Sequence, residues 1–268
     1  MNRIKLLLFL LIISVSCANK KKEPAKTIEL KKEIVPTSKI NSINLFGYEL
    51  SHKGNSNNPM DVLKLLNSIN EKVSGMSNYH LIIWSNDIKE ISLFLDDSKA
   101  QGRLLYELSL LLPASNISGV NLFLDPILEN KSQEFTLFVE RLKQFLDGIN
   151  REFKLTISIP TVDSDESLDR IRAFDFTSLN AFVDSYLVSA DRLVSRHKSI
   201  TLLDNSEIDE MVISPQELEQ TIDFYRNGKI PMSKLIVMVS LLENTRHLDY
   251  KKQWVKENNI GGLCLLKH

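Results

Sequence analysis

From about residue 40 onward, short apolar runs alternate with stretches whose apolar residues recur every three or four positions. Residues 43–50, 80–84, 118–124, 154–159, 182–188, 235–241 and 260–266 read as strands. Between them lie helical stripes. Asn58, Pro59 and Asp61 supply a cap, a first-turn proline and a first-turn acid, and Leu63, Leu66, Ile69 and Val73 follow at helical spacing. Leu104, Leu105, Leu108, Leu111 and Leu112 form a second stripe, and Phe135, Phe138, Val139, Leu142, Phe145 and Leu146 a third. Ser214, Pro215 and Glu217 make a capping box ahead of the strand at 235–241. Strands alternating with helices imply βαβ units and a parallel sheet of the α/β class. Seven strands are clear; an eighth would fall at residues 28–35 or at 200–203. The alternation fits a doubly wound sheet as well as a closed barrel.

The first 39 residues follow another pattern. Arg3 and Lys5 precede an apolar run at residues 6–13, and Ser14, Val15 and Ser16 lead into Cys17. A basic start, a short apolar core and small residues describe a secretory signal peptide, here residues 1–16. The run is too short to span a bilayer, which takes about 20 residues. Small residues before a Cys resemble the bacterial lipobox, which implies acylation of Cys17; Ser14 departs from the usual Leu. The alternative is a plain secretion signal with an incidental cysteine. Residues 17–39, with three lysines in a row at 20–22 and Pro24, read as a solvated tether. Residues 40–268 form the folded domain. Ala18 and Asn19 put no Asp beside the lipidated Cys, and by general lipoprotein behaviour this implies the outer membrane of a cell envelope.

Composition narrows the rest. The 268 residues carry 33 Lys and Arg against 34 Asp and Glu, so there is no electrostatic footprint for nucleic acid. Cys264 is the one cysteine besides Cys17; if Cys17 is acylated, no intrachain disulfide can form, and Cys264 reads as a small buried hydrophobe. The five histidines show no paired metal-ligand spacing, and there is no glycine-rich phosphate loop. No metal and no cofactor are expected.

Several segments, in order, resemble glycoside hydrolase family 18, the chitinase and endo-N-acetylglucosaminidase barrels. "SPQELEQTIDFYRNGKIPMSKLIVMVS" carries Gly228, Pro231 and Lys234 where the family shows Gly-x-Pro-x-x-Lys before its seventh strand. "WVKENNIGGLCLLKH" is similar to its last helix and Gly-Gly strand. "RLLYELSLLLPASNISGVNLFLDP" and "FVERLKQFLDGINREFKLTISIP" resemble the segments around its catalytic fourth strand. The resemblance implies a single-domain (β/α)8 TIM barrel, complete or with one strand missing or irregular, in preference to a doubly wound sheet.

It also implies a chemistry that this chain has largely lost. The family motif Asp-x-x-Asp-x-Asp-x-Glu falls on Ser118, Asn121, Phe123 and Asp125. Family 18 hydrolysis is substrate-assisted: a Glu protonates the glycosidic oxygen while an Asp orients the substrate's acetamide. Asp125 stands in the Glu position, one methylene short, and Phe123 in the orienting Asp position. No Tyr occurs at residues 189–192, where the family has Met-x-Tyr-Asp. Residues 241–244 replace its Tyr-Gly-Arg, Ser85-Asn86 its Gly-Gly pair, and Leu266 its sugar-stacking Trp. The expected protein is therefore a barrel without family hydrolysis, binding a glycan that contains N-acetylglucosamine or an envelope partner. The alternatives are a divergent glycosidase with Asp125 as acid and a purely structural envelope protein. Candidate ligand contacts are Asn121, Tyr48, Trp84 and Asp191, with Asp184 a further residue of the mouth. Each also has a plainer role: Asp125 as a polar strand end, Asn121 as an internal hydrogen-bond partner, Trp84 as core.

Overall fold

In the computed structural model, seven strands close into one parallel ring. They are β1 (Ile40–Glu49), β2 (Tyr79–Ser85), β3 (Ile117–Leu124), β4 (Lys154–Ile159), β5 (Ser185–Ser189), β6 (Leu235–Ser240) and β7 (Gly262–Lys267). Each pairs with its neighbour in sequence, and β1 returns to pair with β7. The structure describes residues 40–72, 78–162, 164–189, 213–228, 230–240 and 245–267, all within the compact unit Thr37–His268. Both segments considered for an eighth strand lie outside these residues. Among the described strands the ring is already complete with seven, because β1 has β2 on one side and β7 on the other. The (β/α)8-like expectation holds for the architecture, with one strand fewer in the ring.

Helices cover the barrel: α1 (Pro59–Lys72), α2 (Ile88–Asp96), α3 (Ser98–Leu111), α4 (Ser132–Ile149), α5 (Asp165–Ile171), α6 (Phe176–Leu179), α7 (Pro215–Asn227) and α8 (Thr245–Glu257). The capping box at α7 forms as its sequence predicts. Ser214 Oγ accepts from Glu217 N at 3.2 Å, and Glu217 Oε2 accepts from Ser214 N at 2.8 Å. The connection from β2 to β3 holds two helices where the pattern predicts one. Asp97 ends α2 and caps α3, accepting from Lys99 N at 2.8 Å.

The strands are buried on both faces, as expected for a parallel sheet wrapped by helices. Outward residues such as Leu45, Leu81, Val120, Leu155 and Val237 belong to the large core between barrel and helices. Alternate inward residues make a second, smaller core: Ile82, Trp84, Leu187, Ile236, Met238, Cys264 and Leu266, with Phe46 and Phe123 packed against it. Cys264 is the small buried residue that the sequence implies.

Candidate functional site

The barrel interior differs from end to end along its axis. At the C-terminal ends of the strands, three aromatic rings from adjacent strands meet. Phe46 packs edge-on against Trp84 and against Phe123, with ring centroids 6.2 Å apart in both pairs. Trp84 is 5% exposed, so its faces are used in packing. Leu266 is fully buried in the same cluster. A benzyl group at Phe123 offers neither charge nor a hydrogen bond, so this layer can pack and little else.

One layer below, the interior turns polar. Asn121 is fully buried; its Oδ1 accepts from Ser158 Oγ at 3.0 Å, and its Nδ2 donates to Asn44 Oδ1 at 3.4 Å. Asn44 Nδ2 donates in turn to Ser42 Oγ at 3.3 Å. Asn121 is thus tied into a network across the barrel, as a buried carboxamide must be.

Asp125 lies just beyond β3, on the rim of the mouth. Arg170 of α5 donates from Nη1 to its Oδ2 at 2.8 Å, while Asp125 Oδ1 and Arg170 Nε are buried without hydrogen-bond partners among the described residues. Burial pushes the Asp125 carboxyl above the usual carboxylate range; the Arg170 guanidinium pulls it back part of the way, and Glu166 adds a small upward push. The motif spacing located Asp125. Arg170 carries no such signal, because it comes from a short helix with no strong periodicity.

Two expectations fail for physical reasons. Tyr48 is no platform at the mouth: it is fully buried in the core between barrel and helices. β1 shifts register between Phe46 and Tyr48, and one extra residue in a strand reverses which face the next side chain takes. The Tyr48 hydroxyl donates to Glu107 Oε2 at 2.5 Å, and the Gly54 carbonyl oxygen lies 3.1 Å from it. Gly54 has φ +82°, and a Cβ there would fall on the Ala100 carbonyl. Asp184 is not at the mouth either. β5 begins at Ser185, so Asp184 sits at the N-terminal end of the barrel, accepting from Leu155 N at 2.9 Å and pairing with Lys143 at 3.2 Å. Asp191 and Cys17 lie outside the described residues, as do residues 190–192 and 241–244.

The N-terminal end opens into a cavity of about 350 Å³, lined by Ser42, His80, Ser118, Thr156 and Ser185 among others. His80 reaches it because Gly119 on β3 leaves room: a Cβ there would come within 2.7 Å of the imidazole ring and of the Lys154 carbonyl oxygen. His80 is 6% exposed, and its Nδ1 has no hydrogen-bond partner among the described residues. Burial lowers its pKa to about 4, with Asp184 opposing that shift and Lys154 adding to it. Nothing in the motif spacing points to this cavity; it appears once the strand register is known.

No protein-family model and no curated protein matches this sequence. Solved structures do match in fold. A chitinase from Chromobacterium violaceum superimposes with a TM-score of 0.59 at 16% identity, over 84% of this chain and 86% of that one. A class V chitinase from Pseudomonas fluorescens gives 0.58 at 14% identity, over 82% and 85%. The spore cortex-lytic enzyme SleL from Bacillus cereus gives 0.62 at 13% identity, over 83% of this chain and 63% of SleL. The chain also spans 61% of the length of a Bacillus subtilis chain described as a sporulation-specific glycosylase. The protein has the chitinase-type parallel barrel fold; at these identities the likeness is one of fold alone.

Proposed function

We propose that this chain is a lipid-anchored cell-envelope protein whose barrel binds a glycan containing N-acetylglucosamine and does not hydrolyse it by the family 18 route. Cys17 carries the anchor, in the outer membrane, and residues 17–39 tether the barrel. Neither nucleic acid nor a cofactor takes part. The observation that carries the reading is Phe123 packed against Phe46 where the resemblance implies an orienting Asp. Substrate-assisted cleavage needs a carboxylate beside the acetamide nitrogen, and an aromatic edge cannot replace it. The resemblance and the chitinase-type fold support a sugar as ligand; an envelope protein is the other candidate partner.

A second reading has an observation of its own. Asp125 Oδ1 is buried without a partner among the described residues, and burial raises the carboxyl's pKa, a condition that favours a general acid. In that reading the chain is a divergent glycosidase. Against it, Arg170 occupies the other oxygen and favours the ionised form.

A mass-spectrometric time course with chitin oligosaccharides and N-glycans, beside an Asp125→Ala control, separates the two. The binding reading expects no products over days at high protein concentration. Cleavage that disappears in the control establishes the glycosidase.

A further inference from the structure

We propose that the N-terminal end of the barrel holds a second ligand site, independent of the mouth, for a small neutral hydroxyl-rich molecule about the size of a hexose. The site is built on the cavity of about 350 Å³ at that end, within the range of small-molecule pockets. Ser42, Ser118, Thr156 and Ser185 bring hydroxyls to its lining, and His80 brings an imidazole edge. Ile236 and the carbon stems of the other side chains supply apolar surface as well. Such a mixed lining suits a ligand that carries hydroxyls around its perimeter and C–H groups on its faces.

Charge argues for neutrality. Lys154 and Asp184 at the rim are within 3.5 Å of each other, and Asp184 also pairs with Lys143. Glu152 lines the rim as well and disfavours an anion. His80 is the second, independent pointer. Its Nδ1 is closed off from solvent and without a hydrogen-bond partner among the described residues, so a turn of the ring on binding would let a hydroxyl in the cavity satisfy it. Burial holds the ring neutral at physiological pH, so it can accept on one nitrogen and donate from the other. Gly119 is the sequence feature that admits the ring to this position.

The test follows the His80 ring resonances of the full chain by NMR in histidine-labelled protein, titrated with glucose, N-acetylglucosamine, myo-inositol and inorganic phosphate. At least one of the three polyols should shift His80 saturably. Thr156→Val exchanges a hydroxyl for a methyl with little change of volume, Ser185→Ala removes a hydroxyl without adding bulk, and each should weaken that binding on the order of fivefold. Phe123→Leu, at the other end of the barrel, should leave it unchanged. The proposal is overturned by an unmoved His80 at 50-fold molar excess of every polyol, by a response to phosphate alone, or by folded Thr156→Val and Ser185→Ala variants that bind like the parent. Weakening by Phe123→Leu alone would move the ligand to the mouth. None of these readouts depends on whether the mouth cleaves or binds a glycan.

Discussion

The same strands that bring three aromatic rings together at the C-terminal end of the barrel present hydroxyls and an imidazole at the other. At the mouth, Phe46 packs edge-on against Trp84 and Phe123, and the nearby carboxylate of Asp125 is held by Arg170. At the base a cavity remains, lined by Ser42, Ser118, Thr156, Ser185 and His80 among others. Functional residues of such barrels are usually found at the C-terminal face. Here the described aromatic side chains of that face pack against one another, and the opposite face brings hydroxyls and an imidazole to a cavity. The difference teaches that the likeness in fold and the present distribution of polar groups point to different ends of the molecule.

Reversing the mouth's character is the most disruptive way to test this contrast. Phe123→Asp restores the residue type that the resemblance implies but sets a carboxylate among Phe46, Trp84 and Leu266. The expected loss is about 3–5 kcal/mol in urea unfolding, from the lost ring and the desolvated charge together. A loss below about 1 kcal/mol would mean that water reaches the layer, and the contrast would break.

The base is next. His80 titrates near pH 4 in the folded chain and near 6.5 when unfolded. Between those values the unfolded state binds more protons, so the contribution of neutral His80 is complete above pH 6.5 and fades as pH falls towards 4. Asp184 and Lys154 act on the ring with opposite signs, and Glu152 lines the same cavity. The parent should lose on the order of 2–3 kcal/mol more than His80→Gln between pH 7 and 4.5. Parallel curves for the two proteins would show a solvated ring. The smallest effect is expected from Gly119→Ala, about 1–3 kcal/mol in thermal or urea unfolding, because its Cβ overlaps the imidazole. Adding His80→Ala should recover only part of it, since the Lys154 carbonyl is equally close.

The sequence pattern was sufficient for the seven strands, for the Ser214 capping box and for Asn121 and Phe123 on one inward face. These features follow from local periodicity and cap chemistry, which act within a few residues. What was not legible depends on long-range register. Tyr48 turned outward because β1 has an irregularity beside Gly47, which alternation alone does not reveal. Asp184 changed ends because β5 begins later than its apolar run suggests. Arg170 and the group around His80 come together only when strands far apart in sequence are placed side by side. The mouth is partly legible because Phe123 and Asp125 fall within one motif; the base is not, because each strand contributes only one or two residues to it.

Closure of the ring also sets an order of events in time. Ile40 pairs with Leu263 and Ile43 with Leu265, so the first described strand must wait for the last before its outer edge is bonded. Contacts this distant in sequence are slow to form. A chain delivered across a membrane from its N-terminus would travel with β1 bare until residues 262–267 had emerged. During that interval the exposed edge could pair with a neighbouring chain. β7 therefore acts as a latch: until it pairs, the outer edge of β1 is left open.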